Sequence, residues 1–268
     1  MFPDFLTTDL LAFLAVAALL AGFIDAIAGG GGLITIPALL SAGLPPAAAL
    51  ATNKLQGSFG TAMSTYTFWR AGQIEIRPML FTVACVFIGA GAGTVAVQYV
   101  GAGLLMALIP ILLVAIALYF LLSPRAGDVE AQARLSLRAF SLTVGIGVGF
   151  YDGFFGPGTG SFFALGCVAL LGMNMRRATA NTKLLNFTSN VVSLAVFALG
   201  GEMVWAVGLL MAAGQMAGSW LGSHAALRFG ARLVRPLLVL VCLGMTVRLV
   251  ANPSHPLYGW AQSLFQTL

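Results

Sequence analysis

The sequence predicts an all-α polytopic integral membrane protein made of two inverted repeats of about five helical segments each, with roughly eight to ten transmembrane helices and a glycine-broken first pair in each repeat. Three observations carry this. The chain has 268 residues, of which 59% are hydrophobic and only 8% charged, where an average soluble domain is about 25% charged. So little charge cannot form the surface of a water-soluble protein. The stretch Gly22-Phe23-Ile24-Asp25-Ala26-Ile27-Ala28-Gly29-Gly30-Gly31-Gly32 returns at Gly149-Phe150-Tyr151-Asp152-Gly153-Phe154-Phe155-Gly156-Pro157-Gly158-Thr159. Finally, the basic residues gather on one side when the segments are threaded through a bilayer.

In chain order, apolar segments run over about 8–28, 33–43, 47–69, 78–98 and 102–122, and again over about 137–156, 160–172, 178–199, 205–226 and 233–250. Repeat 1 covers about 5–122, a polar linker 123–133, repeat 2 about 134–251 and a polar tail 252–268, all in a single membrane domain. The repeat offset is 127 through the first two segments and 129 afterwards, where Lys54 meets Lys183, Gly89 meets Gly218 and Gly93 meets Gly222. A bilayer crossing needs about 20 apolar residues as helix, so the second segment of each repeat is too short to span. It is either a broken crossing or half of a re-entrant hairpin. Backbone outside a helix is forbidden against lipid, so the glycine breaks must face protein or a watery cavity.

Charge sets the orientation. With the first two segments counted as a pair, Arg70, Arg77, Arg125, Arg134, Arg138, Arg176, Arg177, Arg228, Arg232 and Arg235 share one side, ten of the 13 Lys and Arg residues. Asp4, Asp9, Glu202 and Arg248 fall on the other. Parallel repeats would put Arg70 and Arg77 opposite Arg176 and Arg228, against the positive-inside rule. The halves are therefore expected to be inverted, with both termini periplasmic. No Lys or Arg precedes the first apolar run, so the basic region of a cleavable signal peptide is not expected.

Asp25, Lys54, Asp152 and Lys183 interrupt apolar segments. Each costs at least about 2.5–3.5 kcal/mol at a helix centre, so such residues pair or line a pathway. Asp–Lys pairing that merely fastens the bundle is the structural reading. The functional one rests on their neighbours: Thr52, Asn53 and Gln56 beside Lys54, with Gly57, Ser58, Gly60 and Thr61 further along, and Asn181, Thr182 and Asn186 beside Lys183, followed by Ser189 and Asn190. That is more polar capacity than a packing seam needs. The glycine runs Gly29, Gly30, Gly31, Gly32 and Gly156 to Gly160, with Gly158 between, would expose N–H groups and the positive end of the following helix, which suits an anion. A small anion held by these glycines and by Lys54 and Lys183 is the expectation. Asp25 and Asp152 would orient the lysines or carry a coupling proton. A cation site on the two aspartates is the rival.

Other features take packing or surface roles. The GxxxG pairs Gly89/Gly93 and Gly218/Gly222 are expected to pack helices within the chain. Trp69, Tyr99 and Trp205 are interfacial, His224 and His255 are surface or packing residues, and Cys85, Cys167 and Cys242 are apolar packing residues with no CxxC spacing. No cofactor, metal site or catalytic set is expected, and the chain does not look like an enzyme.

On Gly22-Phe23-Ile24-Asp25 with Gly29 to Gly32, Ala49-Leu50-Ala51-Thr52-Asn53-Lys54-Leu55-Gln56, Gly149 to Pro157, and Ala178-Thr179-Ala180-Asn181-Thr182-Lys183-Leu184-Leu185-Asn186, the chain resembles the sulfite exporter TauE/SafE family, in its branch of probable membrane transporters. The resemblance runs over nearly the whole chain. It implies export of a small anionic sulfur compound, sulfite or a sulfonate, across the bacterial inner membrane. The residue roles above are read from the residues, not from the family. A passive anion channel and a transporter of another solute linked to a cation or proton are the alternatives. The expected partners are a small anionic substrate and the lipid bilayer, with no nucleic acid; a homo-oligomer is compatible with this reading.

Overall fold

The computed structural model describes residues 7–109, 111, 132–201 and 203–229, and every regular element among them is helical. Helix α1 (Thr8–Ala28) opens where the Thr7 hydroxyl accepts the Leu10 amide and closes on Gly29, at φ 75°. A three-residue break leads to α2 (Gly32–Ser41). Helix α3 (Pro46–Arg70) begins at Pro46, where no intrahelical amide is lost. It is followed by α4 (Ile76–Gln98) and a helix, α5, over 102–109. The second half starts at α6 (Leu137–Phe140), continues through a π turn (Ser141–Gly145) into α7 (Ile146–Phe154), and breaks again before α8 (Thr159–Leu171). Helix α9 (Met175–Gly200) is capped by Asn174, and α10 (Trp205–Phe229) ends the described part.

Where both ends lie among the described residues, the expected segments agree with these helices to within three residues at each end; the end of the segment expected over 102–122 lies outside the described residues. One correction concerns the segment at 137–156, which is not a continuous α-helix. Its π turn carries Ser141, whose hydroxyl is fastened both to the Leu137 carbonyl and, at 2.8 Å, to Thr82 on α4. The wider turn keeps Gly145 and Gly149 against Cys85 and Val86 of that helix. The expected segment at 233–250, the tail, His255, Cys242 and nearly all of the linker lie outside the described residues. His224 is exposed and sits on the Trp220 ring.

Among the described residues, three helices are long and apolar enough to cross a bilayer by themselves, α1, α4 and α9. Helices α3 and α10 have the length, 25 residues each, and their polar residues turn inward: Lys54, Gln56, Ser64, Gln215 and Ser219 are buried. By contrast α2, at 10 residues, is about 15 Å long, half of a hydrocarbon core. It is buried from Leu33 to Leu40, so it is an interior element.

Packing crosses between the halves. Helix α1 lies on α10, and α7, its counterpart in the repeat, lies on α4. Helix α3 packs against α10 and α9, while α9 packs against α4 and α8. Exchanging the repeats therefore exchanges the partners. The GxxxG glycines make the two main seams. A Cβ on Gly218 would meet the backbone of Leu19 and one on Gly222 that of Phe23; Gly89 and Gly93 stand in the same way against Ile146 and Phe150. In each seam contacts advance together along both helices, so α1 runs parallel to α10 and α4 to α7. Without side chains in the way, backbones approach closely, which is the main source of helix association in lipid.

Candidate functional site

The two chain breaks meet at the centre. Gly29 lies directly on Gly160, and a Cβ on either would collide with the other's backbone. The Ser161 hydroxyl, in the first turn of α8 just after the second break, donates to the Ala28 carbonyl at the end of α1. Gly29 at φ 75° and its counterpart Gly156 at φ 98° adopt a left-handed backbone that side chains disfavour. Tyr151 braces the second break by donating to the Pro157 carbonyl at 2.7 Å. As expected, the breaks face protein, not lipid.

Lys54 and Lys183 are the two lysines of the chain, and both are completely buried. Lys54, on α3, places Nζ 2.9 Å from Asp152 Oδ1 on α7. The pair joins the two repeats. Asp152 is further held by the Thr159 hydroxyl, 2.9 Å from Oδ1, and by the Ser189 hydroxyl at Oδ2. A buried ion pair survives only when its other lone pairs are also served, and here they are. The second pair differs from expectation. Lys183, on α9, donates to the main-chain carbonyl of Asp25 and not to its carboxylate. That carbonyl sits in the last turn of α1, where the partial negative charge of the helix collects. The Asp25 carboxylate instead accepts the Gly31 N–H at Oδ1, 3.1 Å away. It thus occupies the positive end of α2 that the sequence offers to an anion.

Most of these groups line a polar cavity that is partly open to the outside. Repeat 1 contributes Asp25, Gly29, Gly31, Gly32, Asn53 and Lys54, with Gly57 and Thr61. Repeat 2 contributes Asp152, Gly156, Thr159 and Asn186, with Asn190 and Gln215. Asn53 is fixed by donors from Thr35 and Gln56, the latter at 2.8 Å.

Seven expected site residues lie off the cavity. Gly30 and Gly158 sit within the breaks, where their carbonyls accept the amides of Leu33 and Ser161. Gln56 acts through Asn53, and Thr52 accepts the Val204 amide at 3.2 Å. Asn181 and Thr182 are turned to the carbonyls of Arg177 and Ala178, and Lys183 to that of Asp25. The residues not expected are chiefly Thr159 and Gln215. Gln215 is an amide whose repeat counterpart is Val86, and that mismatch is the signal that marks it. Gly57, Thr61 and Asn190 belong to the polar stripes already legible in α3 and α9.

Apolar helices packed around a buried polar cavity that two halves of one chain close together define a polytopic membrane protein. The chain belongs to the sulfite exporter TauE/SafE family, whose description matches residues 14–249. It is 50% identical over 255 residues to "Probable membrane transporter protein ORF9" of a Sinorhizobium species, a match covering 95% of this chain and 98% of that one. It is 47% identical over 252 residues to a "Probable membrane transporter protein" of Haemophilus influenzae, covering 94% and 97%. With "Probable membrane transporter protein YfcA" of Escherichia coli K12 it shares 48% over 246 residues, covering 92% and 91%. No solved structure matches the chain.

Proposed function

We propose that this protein is a secondary transporter of the bacterial inner membrane that exports a small oxyanion, sulfite or an organosulfur anion, by alternating access. The observation that carries the reading is the Lys54–Asp152 pair at 2.9 Å inside a cavity to which both repeats contribute. A buried cation beside a cavity offers an anion a partner, provided the anion can compete with the resident carboxylate. An anion entering there competes with Asp152 for Lys54 and meets the first turn of α8, whose dipole favours negative charge, whereas the start of α2 is already held by the Asp25 carboxylate. Because Lys54 on α3 and Asp152 on α7 belong to different repeats, breaking the pair loosens one repeat from the other. That couples occupancy to movement of the halves.

Inverted repeats with both termini periplasmic belong to the same proposal. Two contacts support them. Glu75, just after α3, pairs with Arg177 at the start of α9 at 3.1 Å, and Val204, just after α9, donates to Thr52 in the first half of α3. Helices α3 and α9 are repeat counterparts and thus run antiparallel, as inversion requires. The same contact puts Arg70 and Arg77 at the end of the bundle that holds Arg176 and Arg177.

Ligand-induced stabilisation tests the substrate class. Sulfite, sulfate, thiosulfate, short sulfonates and carboxylates are added to the purified protein, and the thermal transition is followed. An anion at about 100 times its Kd is expected to stabilise the protein by about 2.7 kcal/mol, and Lys54→Met to remove the shift. No shift with any anion, against a shift with sodium or pH alone, would overturn the anion reading.

A further inference from the structure

The two aspartates occupy equivalent places in the repeat, yet their surroundings differ. Asp152 has a donor for each oxygen, from Lys54, Thr159 and Ser189. The repeat counterparts of Thr159 and Ser189 are Gly32 and Gly60, so both hydroxyls are missing from the Asp25 half. Lys183 serves the Asp25 carbonyl instead of its carboxylate. Asp25 Oδ2 is consequently buried with no partner among the described residues. It is not alone. Asn186 and Gln215 line the same cavity, and each holds a buried side-chain oxygen without a partner. All three residues are more than nine-tenths buried, at 7%, 4% and 2% exposure. Gln215 also takes the room left by the missing hydroxyl, since a Cβ on Gly60 would meet its side chain.

Three buried acceptors around one cavity, one of them a carboxylate, are costly unless something positive joins them. The other charged groups that face Asp25 are Lys183 from α9, engaged on its carbonyl, and Lys54 with Asp152 across the cavity, engaged with each other. Helices α2 and α8 carry no charged side chain, and α10 turns Gln215 and Ser219 towards α1. Lys183 lies close enough to interact with the Asp25 charge, but none of these groups contacts Oδ2.

We infer that Asp25, with the amide oxygens of Asn186 and Gln215, is the seat of the exchangeable monovalent cation, a proton or a sodium ion, while Asp152 is a fixed counter-charge to Lys54. The division of labour rests on the reading of the cavity as the transport site, and names the group that couples to it. A proton on Oδ2 donates to an amide oxygen; a sodium ion is held by all three oxygens. The unpartnered Oδ2 suits either, while Oδ1 is already held by the Gly31 N–H at the start of α2.

The test uses the purified full chain in detergent. Binding of radioactive sodium is measured in acid and alkaline buffer, and infrared difference spectra between the same buffers are read for the C=O band of a buried carboxylic acid. The expected wild-type result is saturable sodium binding, or an acid-induced carboxylic band where a proton is the cation. Asp25→Asn is expected to abolish the signal, and Lys54→Met with Asp152→Asn to keep it. Gln215→Val, which installs the residue of the other repeat, weakens it about tenfold or more, as loss of one partner to a charged group implies. Should Asp25→Asn not elute as a folded protein, Gln215→Val and Asn186→Leu carry the test. Absence of both signals in the wild type, persistence in Asp25→Asn, or loss only in the Lys54/Asp152 double variant would overturn the inference. Sulfite stabilisation measured on the same samples separates the two readings. Cation binding that maps to Asp25 without any anion effect leaves this inference standing and removes the anion site.

Discussion

Lys54→Met is expected to stop transport and to lower the stability of the folded protein by about 3–5 kcal/mol. The ammonium lies 2.9 Å from Asp152 Oδ1, with both side chains almost wholly buried. Removing it leaves a carboxylate in the interior served only by the hydroxyls of Thr159 and Ser189, and neutral donors do not replace a counter-charge. Adding Asp152→Asn to Lys54→Met should restore most of the lost stability, since no uncompensated charge then remains, while transport stays absent. Thermal unfolding in detergent and sulfite flux in proteoliposomes read the two effects separately. A Lys54→Met protein that is both stable and active would show that the pair is neither a fastening nor a binding element.

Gly29→Ala is the second large effect. The left-handed backbone at φ 75° costs an alanine about 1–2 kcal/mol. A Cβ there would also strike the Gly160 backbone, and overpacking adds about 1–3 kcal/mol. The contact holds the two breaks together, so flux is expected to fall with stability. Gly72→Ala is the matching control. Gly72 has φ 70° but open space around it, so it should show the backbone cost alone and keep its transport. Equal losses in the two variants would mean that the contact between the breaks contributes nothing.

Most of the helical framework is legible in the sequence because hydropathy and glycine breaks act locally. Helix α1 ends at Gly29 for a backbone reason visible in the letters, and α3 starts at its proline. The membrane class follows from composition, and the family from the motifs around Asp25, Lys54, Asp152 and Lys183. Partner choice was not legible. Whether Lys183 would reach the Asp25 carboxylate or its carbonyl depends on how α9 sits against the last turn of α1, and no spacing encodes that. The π turn at Ser141–Gly145 depends on Thr82, far away in the chain. Thr159 and Gln215 could have been found by asking where the repeats fail to match, Thr159 against Gly32 and Gln215 against Val86, for such mismatches mark where one half does what the other does not.

The central claim is that substrate occupies the cavity between α3 and α9. A single cysteine at Gly57 tests it directly. This position lines the cavity, and the atoms nearest to a Cβ there belong to the Asn190 side chain, at 3.4 Å or more. With Cys85, Cys167 and Cys242 replaced and transport retained, labelling of this cysteine by a small thiol reagent is followed with and without sulfite. Sulfite should slow the labelling in proportion to its occupancy, and Lys54→Met should abolish that protection. Labelling that sulfite leaves unchanged, in a protein that still transports it, would place the substrate elsewhere.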